Sequence, residues 1–379
     1  MRFVVLFEVQ IIPWLSGVPV SGRHARSLTC IPCATGSGGR NPLRPTSPIK
    51  DSPTSGKFSR RAFLATAAAA AAHCAVPSAL LAQTTPDLHK RLPFHLAVIN
   101  DEIAPDFEHA CHVAAVEFGL NYIELRGLWG KNIANLTDAE IAEARRILAK
   151  YSLTVTDIAS PLFKTDFPHA QISSSIPRQD QFGAAFTFEQ QPEVLEHCIH
   201  LALSFQTGRI RCFDFTRLEN PKPVLPEIRE QLRKASTALA KHNLILLLEN
   251  EHTCNTATGA EAAATLAAVG NTNFMLNWDP GNAAAAGDTP YPNGYSLLPK
   301  NRIGHVHCKD VVRTADGKTA WAPVGSGIVD WHGQIRALLR QNYHYAVSLE
   351  THWRGAGSPE ASTRQSMAGL KKVISEVVG

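Results

Sequence analysis

The 379-residue chain predicts an α/β protein built as a (β/α)8 barrel. Three observations carry that expectation. From Phe94 onward, eight short β-type runs alternate with segments of helical apolar period. Several runs are apolar throughout, as in Leu244-Ile245-Leu246-Leu247-Leu248, which suits parallel strands covered on both faces. No Gly-x-Gly-x-x-Gly follows the first run, which removes the usual dinucleotide reading of the competing open, doubly wound sheet.

Residues 1–82 precede the barrel and read as a mostly unstructured leader, disordered or cleaved. Residues 15–57 are rich in Ser, Gly, Pro and Arg and show no apolar period. Ser59-Arg60-Arg61-Ala62-Phe63-Leu64, an Ala-rich run to Ala72 and a small residue before Gln83 match a twin-arginine export signal. His73 and Pro77 interrupt that run, so stable membrane insertion after processing is not expected. The expected location is periplasmic or secreted. A start codon downstream of Met1 would account for residues 1–58; a separate role for the apolar residues 1–20 is the alternative. Five cysteines lie beyond the leader (Cys111, Cys198, Cys212, Cys254 and Cys308), an odd and scattered set that is no disulfide framework. Cys30-Ile31-Pro32-Cys33 has redox or zinc-knuckle spacing but stands alone in the leader.

Charge divides at the same boundary. Residues 1–82 hold nine Lys/Arg against two Asp/Glu, and the remainder holds 28 against 31. The mature part is therefore mildly acidic, which argues against phosphate-driven nucleic-acid binding.

Residues 83–379 form the predicted barrel. Its strands are Phe94–Ile99, Tyr122–Leu125, Thr154–Ile158, Arg209–Phe213, Ile245–Glu249, Phe274–Asp279, Ile303–His307 and Tyr345–Glu350. Its helices are Phe107–Phe118, Asp138–Lys150, Pro192–Leu203, Pro226–Lys241, Gly259–Val269, Trp331–Arg340 and Glu360–Val377. Thr137 or Asp138 caps the second of these. Residues 160–189 form a long connection that is either a cover over the pocket or an ordinary surface loop, and 288–300 hold one short helical turn.

Barrel chemistry sits at the C-terminal ends of strands. Four successive ends deliver Glu249, Asp279, His307 and Glu350. One strand-end glutamate is usually a loop ion pair, but four ionisable groups in phase on neighbouring strands point elsewhere. Three carboxylates without a counter-ion repel and drive at least one pKa upward. A divalent cation resolves the conflict. Three carboxylates and one imidazole favour Mn²⁺ first, then Mg²⁺ or Co²⁺, and remain compatible with Zn²⁺. His305 shares the strand face of His307 one layer deeper and reads as a supporting histidine. Glu251 and His252 lie just past the fifth strand as substrate or supporting groups. Glu124 either faces the pocket or pairs with Arg126.

The segments Leu-Glu-Asn at 248–250, Asn-Trp-Asp-Pro-Gly-Asn at 277–282, His-Val-His-Cys-Lys-Asp at 305–310, Pro-Val-Gly-Ser-Gly at 323–327 and Ser-Leu-Glu at 348–350 resemble the xylose isomerase-like TIM barrel superfamily. Asn100-Asp101-Glu102-Ile103-Ala104-Pro105-Asp106-Phe107 also looks typical of it. The resemblance spans Phe94 to Val378 and is weak for any one substrate. It implies that Glu249, Asp279, His307 and Glu350 ligate metal, and that Glu249 and Glu350 transfer protons. Asn282 stands where ketose epimerases carry a substrate-contacting histidine. Arg313 matches an arginine that epimerases place on substrate oxygens, and Lys309 fits a His-x-Lys-Asp form.

The expected activity is metal-dependent isomerisation or epimerisation of a small carbohydrate, through proton removal next to a carbonyl and an enediolate. Export favours an unphosphorylated keto sugar or keto-glycoside. Expected substrate contacts are Asn282, Lys309, Arg313, Glu124 and His252. Elimination by a dehydratase or lyase, on a keto sugar or inosose, uses the same site. A non-catalytic sugar-binding barrel needs no proton-transfer pair. An endonuclease IV-like enzyme needs more strand-end histidines than the ends at Ile99, Leu125, Ile158 and Phe213 offer.

Overall fold

The computed structural model describes residue 88 and residues 90–177 and 181–379. The leader, with its arginine pair and Cys30–Cys33, lies outside the described residues. Eight parallel strands form the sheet: β1 (His95–Val98), β2 (Tyr122–Leu125), β3 (Thr154–Ile158), β4 (Arg209–Cys212), β5 (Ile245–Glu249), β6 (Phe274–Trp278), β7 (Ile303–Cys308) and β8 (Ala346–Leu349). Their order is β1-β8-β7-β6-β5-β4-β3-β2. A single parallel bridge, Ile99 to Glu124, joins the two end strands and nearly closes the barrel. The fold is thus the predicted (β/α)8 barrel.

Helices α1 (Phe107–His112), α2 (Asp138–Lys150), α3 (Gln191–Ser204), α4 (Leu225–Ala240), α5 (Gly259–Val269), α6 (Pro280–Ala285), α7 (Trp331–Arg340) and α8 (Pro359–Val378) lie between and after the strands. Thr137 and Thr258 each cap a helix reciprocally with a glutamate three residues on, Glu140 and Glu261. The apolar faces of the helices meet the outer faces of the strands. Ile228, Leu232 and Leu239 of α4 are fully buried there, as are Ile335 and Leu338 of α7.

Four elements differ from the sequence expectation. The predicted helix over 107–118 breaks at His112 into a π-helical turn over Val113–Glu117, closed by Phe118 N–H donating to Val113 O at 2.9 Å. The extra residue in that turn keeps Val113, Ala114 and Phe118 all buried on the barrel side. Helix α6 begins directly after Asp279, whose side chain accepts from Asn282 N–H. Asp followed by Pro at the first helical position is its local signal. Antiparallel hairpins over 127–132 and 310–322 project beyond the strand ends.

The longer hairpin is anchored by Asp310. Its carboxylate is completely buried and accepts from the backbone N–H groups of Val311, Gly325, Gly327 and Val329. No room remains beside it, because a Cβ on Gly327 would stand 2.1 Å from its Oδ1. Replacing Asp310 by Ala leaves these donors without an acceptor, at about 1–3 kcal/mol for each one that water cannot reach. Asp310→Ala is expected to lower the Tm and to speed amide exchange at Gly325, Gly327 and Val329, while α2 exchanges as before. Unchanged exchange at those three amides would show that the carboxylate is not their anchor.

Candidate active site

The register of the parallel strands carries Glu249, Asp279, His307 and Glu350 to one end of the barrel. Each is at most 1% exposed, and one ligand atom from each lies within 4.8 Å of the others. His307 is central. Its Nδ1 stands 3.1 Å from Glu350 Oε2, 3.3 Å from Glu249 Oε1 and 3.8 Å from Asp279 Oδ2. Its Nε2 points the other way, to Glu124 Oε1 at 2.9 Å. Glu124 therefore faces inward and holds the ring so that Nδ1 looks into the cluster. Its other oxygen meets His305 Nε2 at 3.1 Å. The alternative partner Arg126 turns away, to Asp101, Glu102 and Glu350.

The remaining sequence candidates divide. Lys309 is fully enclosed among the carboxylates, paired with Glu350 and 3.0 Å from Asp279 Oδ2. Asn282 donates from Nδ2 to Glu249 Oε1 at 3.1 Å and to Asn250 O, so it orients a ligand candidate. His252 pairs with Glu251 at 2.6 Å and packs edge-on against Trp321. His352 meets the same indole, whose face covers Lys309. Arg313 is not brought to this cluster. It lies at the exposed end of its hairpin strand and makes no side-chain hydrogen bond or ion pair among the described residues.

Lys164 and Arg211 escaped the sequence reading, and Arg126 entered it only as a partner for Glu124. Arg126 binds Glu350 Oε1 at 2.9 Å, fully buried Arg211 stands 3.1 Å from Glu249 Oε2, and Lys164 faces Glu251 at 3.6 Å. A signal existed for Arg211, a charged residue inside the short parallel strand Arg209–Cys212. Phe182, from the long 159–190 connection, packs on all three. That connection therefore reaches over the strand ends.

Burial and neighbouring charge set the protonation states. Burial works against the Glu350 anion, yet Lys309, His352 and His307 hold its carboxyl well below the usual range. Glu249 is also lowered despite burial, chiefly by His307, with help from Arg211. Asp279 goes the other way. Burial pushes it up to about 7, with Lys309 opposing and Glu249 and Glu350 reinforcing. His307 is raised well above its usual value, because Glu124, Glu249 and Glu350 outweigh its burial.

These residues fit a hard divalent cation. The set contains three carboxylates and one imidazole with its far nitrogen already engaged, as metal-bound histidines require. Asp279 Oδ2 and Glu249 Oε2 are buried and accept no hydrogen bond of good geometry, in spite of the nearby Lys309 and Arg211. A cation there satisfies both and replaces the Nδ1 proton of His307.

The model of the xylose isomerase-like TIM barrel matches residues 113–373. The chain belongs to this family. A search of curated proteins finds no match. Among solved structures, the chain resembles a probable 3-DHS dehydratase from Bacillus anthracis, with 22% identity over 73% of this chain and 98% of that one and a TM-score of 0.56. It also resembles a xylose isomerase-like TIM barrel protein from Mycobacterium smegmatis in complex with magnesium, with 19% identity over 76% and 99% and a TM-score of 0.54. A third is D-allulose 3-epimerase from Methylomonas sp. in complex with D-allulose, with 14% identity over 74% and 96% and a TM-score of 0.54. At these identities the likeness is one of fold.

Two outcomes follow from the site's geometry. Glu124→Gln keeps the shape of the His307 partner but removes its charge, so affinity for Mn²⁺, measured by chelator competition, should fall about 10–100-fold. Unchanged affinity would show that Glu124 does not tune the ligand. The second concerns Asp279 in metal-free protein. A carboxyl whose pKa rises on folding stabilises at pH below its unfolded value of 3.8 and loses that contribution as pH climbs through about 7. The stability of the wild type relative to Asp279→Asn should therefore decline between pH 4 and 7 in chelator-treated melts. A flat difference would show that Asp279 is not held neutral.

Proposed function

We propose that the protein is a divalent-metal-dependent sugar isomerase or epimerase, acting on an unphosphorylated keto sugar or keto-glycoside. The observation that carries this reading is the pair Glu249 and Glu350. Both are buried, both are held anionic, and both face His307 Nδ1 from opposite flanks of the cluster, on β5 and directly after β8. A binding site for a neutral sugar has no use for two buried, anionic carboxylates.

A divalent cation held by Glu249, Asp279, His307 and Glu350 would supply polarisation of the keto oxygen and lower the acidity barrier of the neighbouring carbon. Mn²⁺ is our first choice. Proton movement belongs to the glutamates. One carboxylate takes the α-proton and, now a carboxylic acid, returns it to the adjacent carbon; for transfer to the other face the opposite carboxylate draws a proton from solvent and delivers it, while the first releases its own to solvent. Asn282 and Arg211 fix the position of Glu249, and Arg126 fixes that of Glu350. Lys309, buried and cationic between Asp279 and Glu350, is placed to donate to a developing oxyanion. Trp321, with His252 and His352 against its edges, forms an aromatic wall for the sugar.

If the enediolate carries a leaving group on the next carbon, the same base and acid complete an elimination. The likeness to a probable dehydratase supports keeping that reaction as the second reading. The reading also includes export, supported by Ser59-Arg60-Arg61-Ala62-Phe63-Leu64. An exported enzyme meets few phosphorylated intermediates, hence the neutral keto sugar. Recovery of the mature chain from the cytoplasm alone would remove that preference.

The decisive test is solvent exchange. Protein with Mn²⁺ in D₂O should place deuterium next to the carbonyl of a panel of ketoses, D-fructose included. Glu249→Gln and Glu350→Gln should each reduce exchange by about 10²–10⁴-fold with metal still bound. Exchange that survives either substitution would defeat the assignment of the pair.

A further inference from the structure

Two buried cations, Arg211 beside Glu249 and Lys164 beside Glu251, keep donors that no acceptor uses. Lys164, in the connection after β3, is 94% buried as a side chain, since only 6% of it is exposed. Its ammonium makes no hydrogen bond among the described residues, and its one ion pair is to Glu251 Oε2 at 3.6 Å. Arg211, on β4, is completely buried. It donates from Nε to Ser160 O and from Nη2 to Ala159 O, but Nη1 donates no hydrogen bond. Glu249 Oε2 stands 3.1 Å from that nitrogen outside hydrogen-bond geometry.

Both cations press against the same two rings. Lys164 Nζ lies 4.0 Å from the centre of the Phe182 ring and 4.7 Å from that of Phe213. The Arg211 guanidinium carbon lies 5.1 and 4.9 Å from the same two. Aromatic faces attract cations, yet they accept no strong hydrogen bond. An ammonium has three donors to satisfy, and burial makes each unused donor costly. Arg126 also meets Phe182, but its guanidinium is fully committed to Asp101, Glu102 and Glu350. The spare donor capacity is therefore local to Lys164 and Arg211.

A divalent cation accentuates this. Glu249 would then share its charge with the metal, so Arg211 keeps less of its counter-ion.

The geometry points to a subsite for a substrate carboxylate, held by Lys164 and Arg211 between Phe182 and Phe213. The substrate class is then a keto sugar acid rather than a neutral ketose. Two donor groups match the two oxygens of a carboxylate. The third terminal oxygen of a phosphate dianion would face a phenyl ring. This inference rests on the reading that the barrel mouth binds a keto sugar. It replaces only the neutral part of that reading.

The test measures binding, independent of turnover. The full chain with Mn²⁺ is titrated calorimetrically with 5-keto-D-gluconate, D-fructose and D-fructose 6-phosphate. The keto acid should bind at least tenfold more tightly than fructose. Because any carboxylate can prefer a metal-loaded site, the variant decides. In Lys164→Met the gap should shrink below about threefold, whereas Lys164→Arg should keep it, with the same Mn²⁺ content in both. Equal affinities for keto acid and fructose, no measurable binding of the keto acid, or a gap that persists in Lys164→Met overturns the subsite. Tighter binding of the phosphate overturns the carboxylate assignment. Loss of deuterium exchange on fructose bears on the isomerase reading alone, because it does not enter the affinity ratio.

Discussion

Charge compensation in a dry barrel mouth governs this structure. Glu102, Glu249, Glu251, Asp279 and Glu350 are each at most 3% exposed. A bare carboxylate in such a place costs several kcal/mol even after relaxation, so each needs a cation or a proton. Arg126, Arg211, Lys164 and Lys309 supply most of that compensation, and burial pushes Asp279 up to about 7. Of these cations Lys164 and Arg211 were least visible in the sequence, and together the four let the acidic residues coexist. The pairs are unequal. Glu102 has Arg126 and Arg354 and falls to about 2, whereas Asp279 has a Lys309 that also serves Glu350 and a His307 at 3.8 Å.

That inequality is a chemical specification. A carboxylate saturated by guanidinium groups can neither ligate nor exchange a proton readily. A carboxylate with a spare oxygen can do both. Glu249 Oε2 and Asp279 Oδ2 have such spare oxygens. The backbone around them is correspondingly tight. Asp279 N–H donates to Asn250 Oδ1 at 2.7 Å, and Asn250 Nδ2 donates back to Asp279 O at 2.8 Å, which ties the ends of β5 and β6 together. Gly281 lets α6 seat against the neighbouring strand end, since a Cβ there would stand 2.4 Å from Lys309 Cγ and 2.9 Å from Lys309 O. An alanine at 281 would push Lys309 from between its carboxylates. The glycine is a site residue without a functional group.

The parallel strands were legible because two-sided burial leaves an unmistakable apolar run, as in β5. The metal-ligand candidates were legible because strand register turns sequence position into depth. What stayed hidden lacks such a period. Lys164 and Phe182 belong to a connection with no repeating pattern, and their meeting is fixed by tertiary packing of Phe163, Phe167, Phe188 and Phe215 beneath it. Arg313 misled for the opposite reason. Its distance from His307 along the chain is short, but the hairpin leads it outward while Asp310 stays pinned inside. Asn282, expected to contact substrate, instead donates its amide to Glu249 and steadies it.

The closure of the barrel and the orientation of the site meet in one residue. Ile99 and Glu124 form the only bridge between β1 and β2, so the backbone of Glu124 sits on the seam. Its side chain crosses the interior to His305 and His307 on β7. Burial opposes its charge, but the two histidines hold Glu124 well below the usual carboxylate range. A seam that slipped by one residue would turn that carboxylate from the interior to the helices, since strand side chains alternate. His307 would then lose the partner that directs Nδ1 at the carboxylates. The barrel closes in register for the same reason that the site is assembled: a buried anion on the last seam has partners only inside.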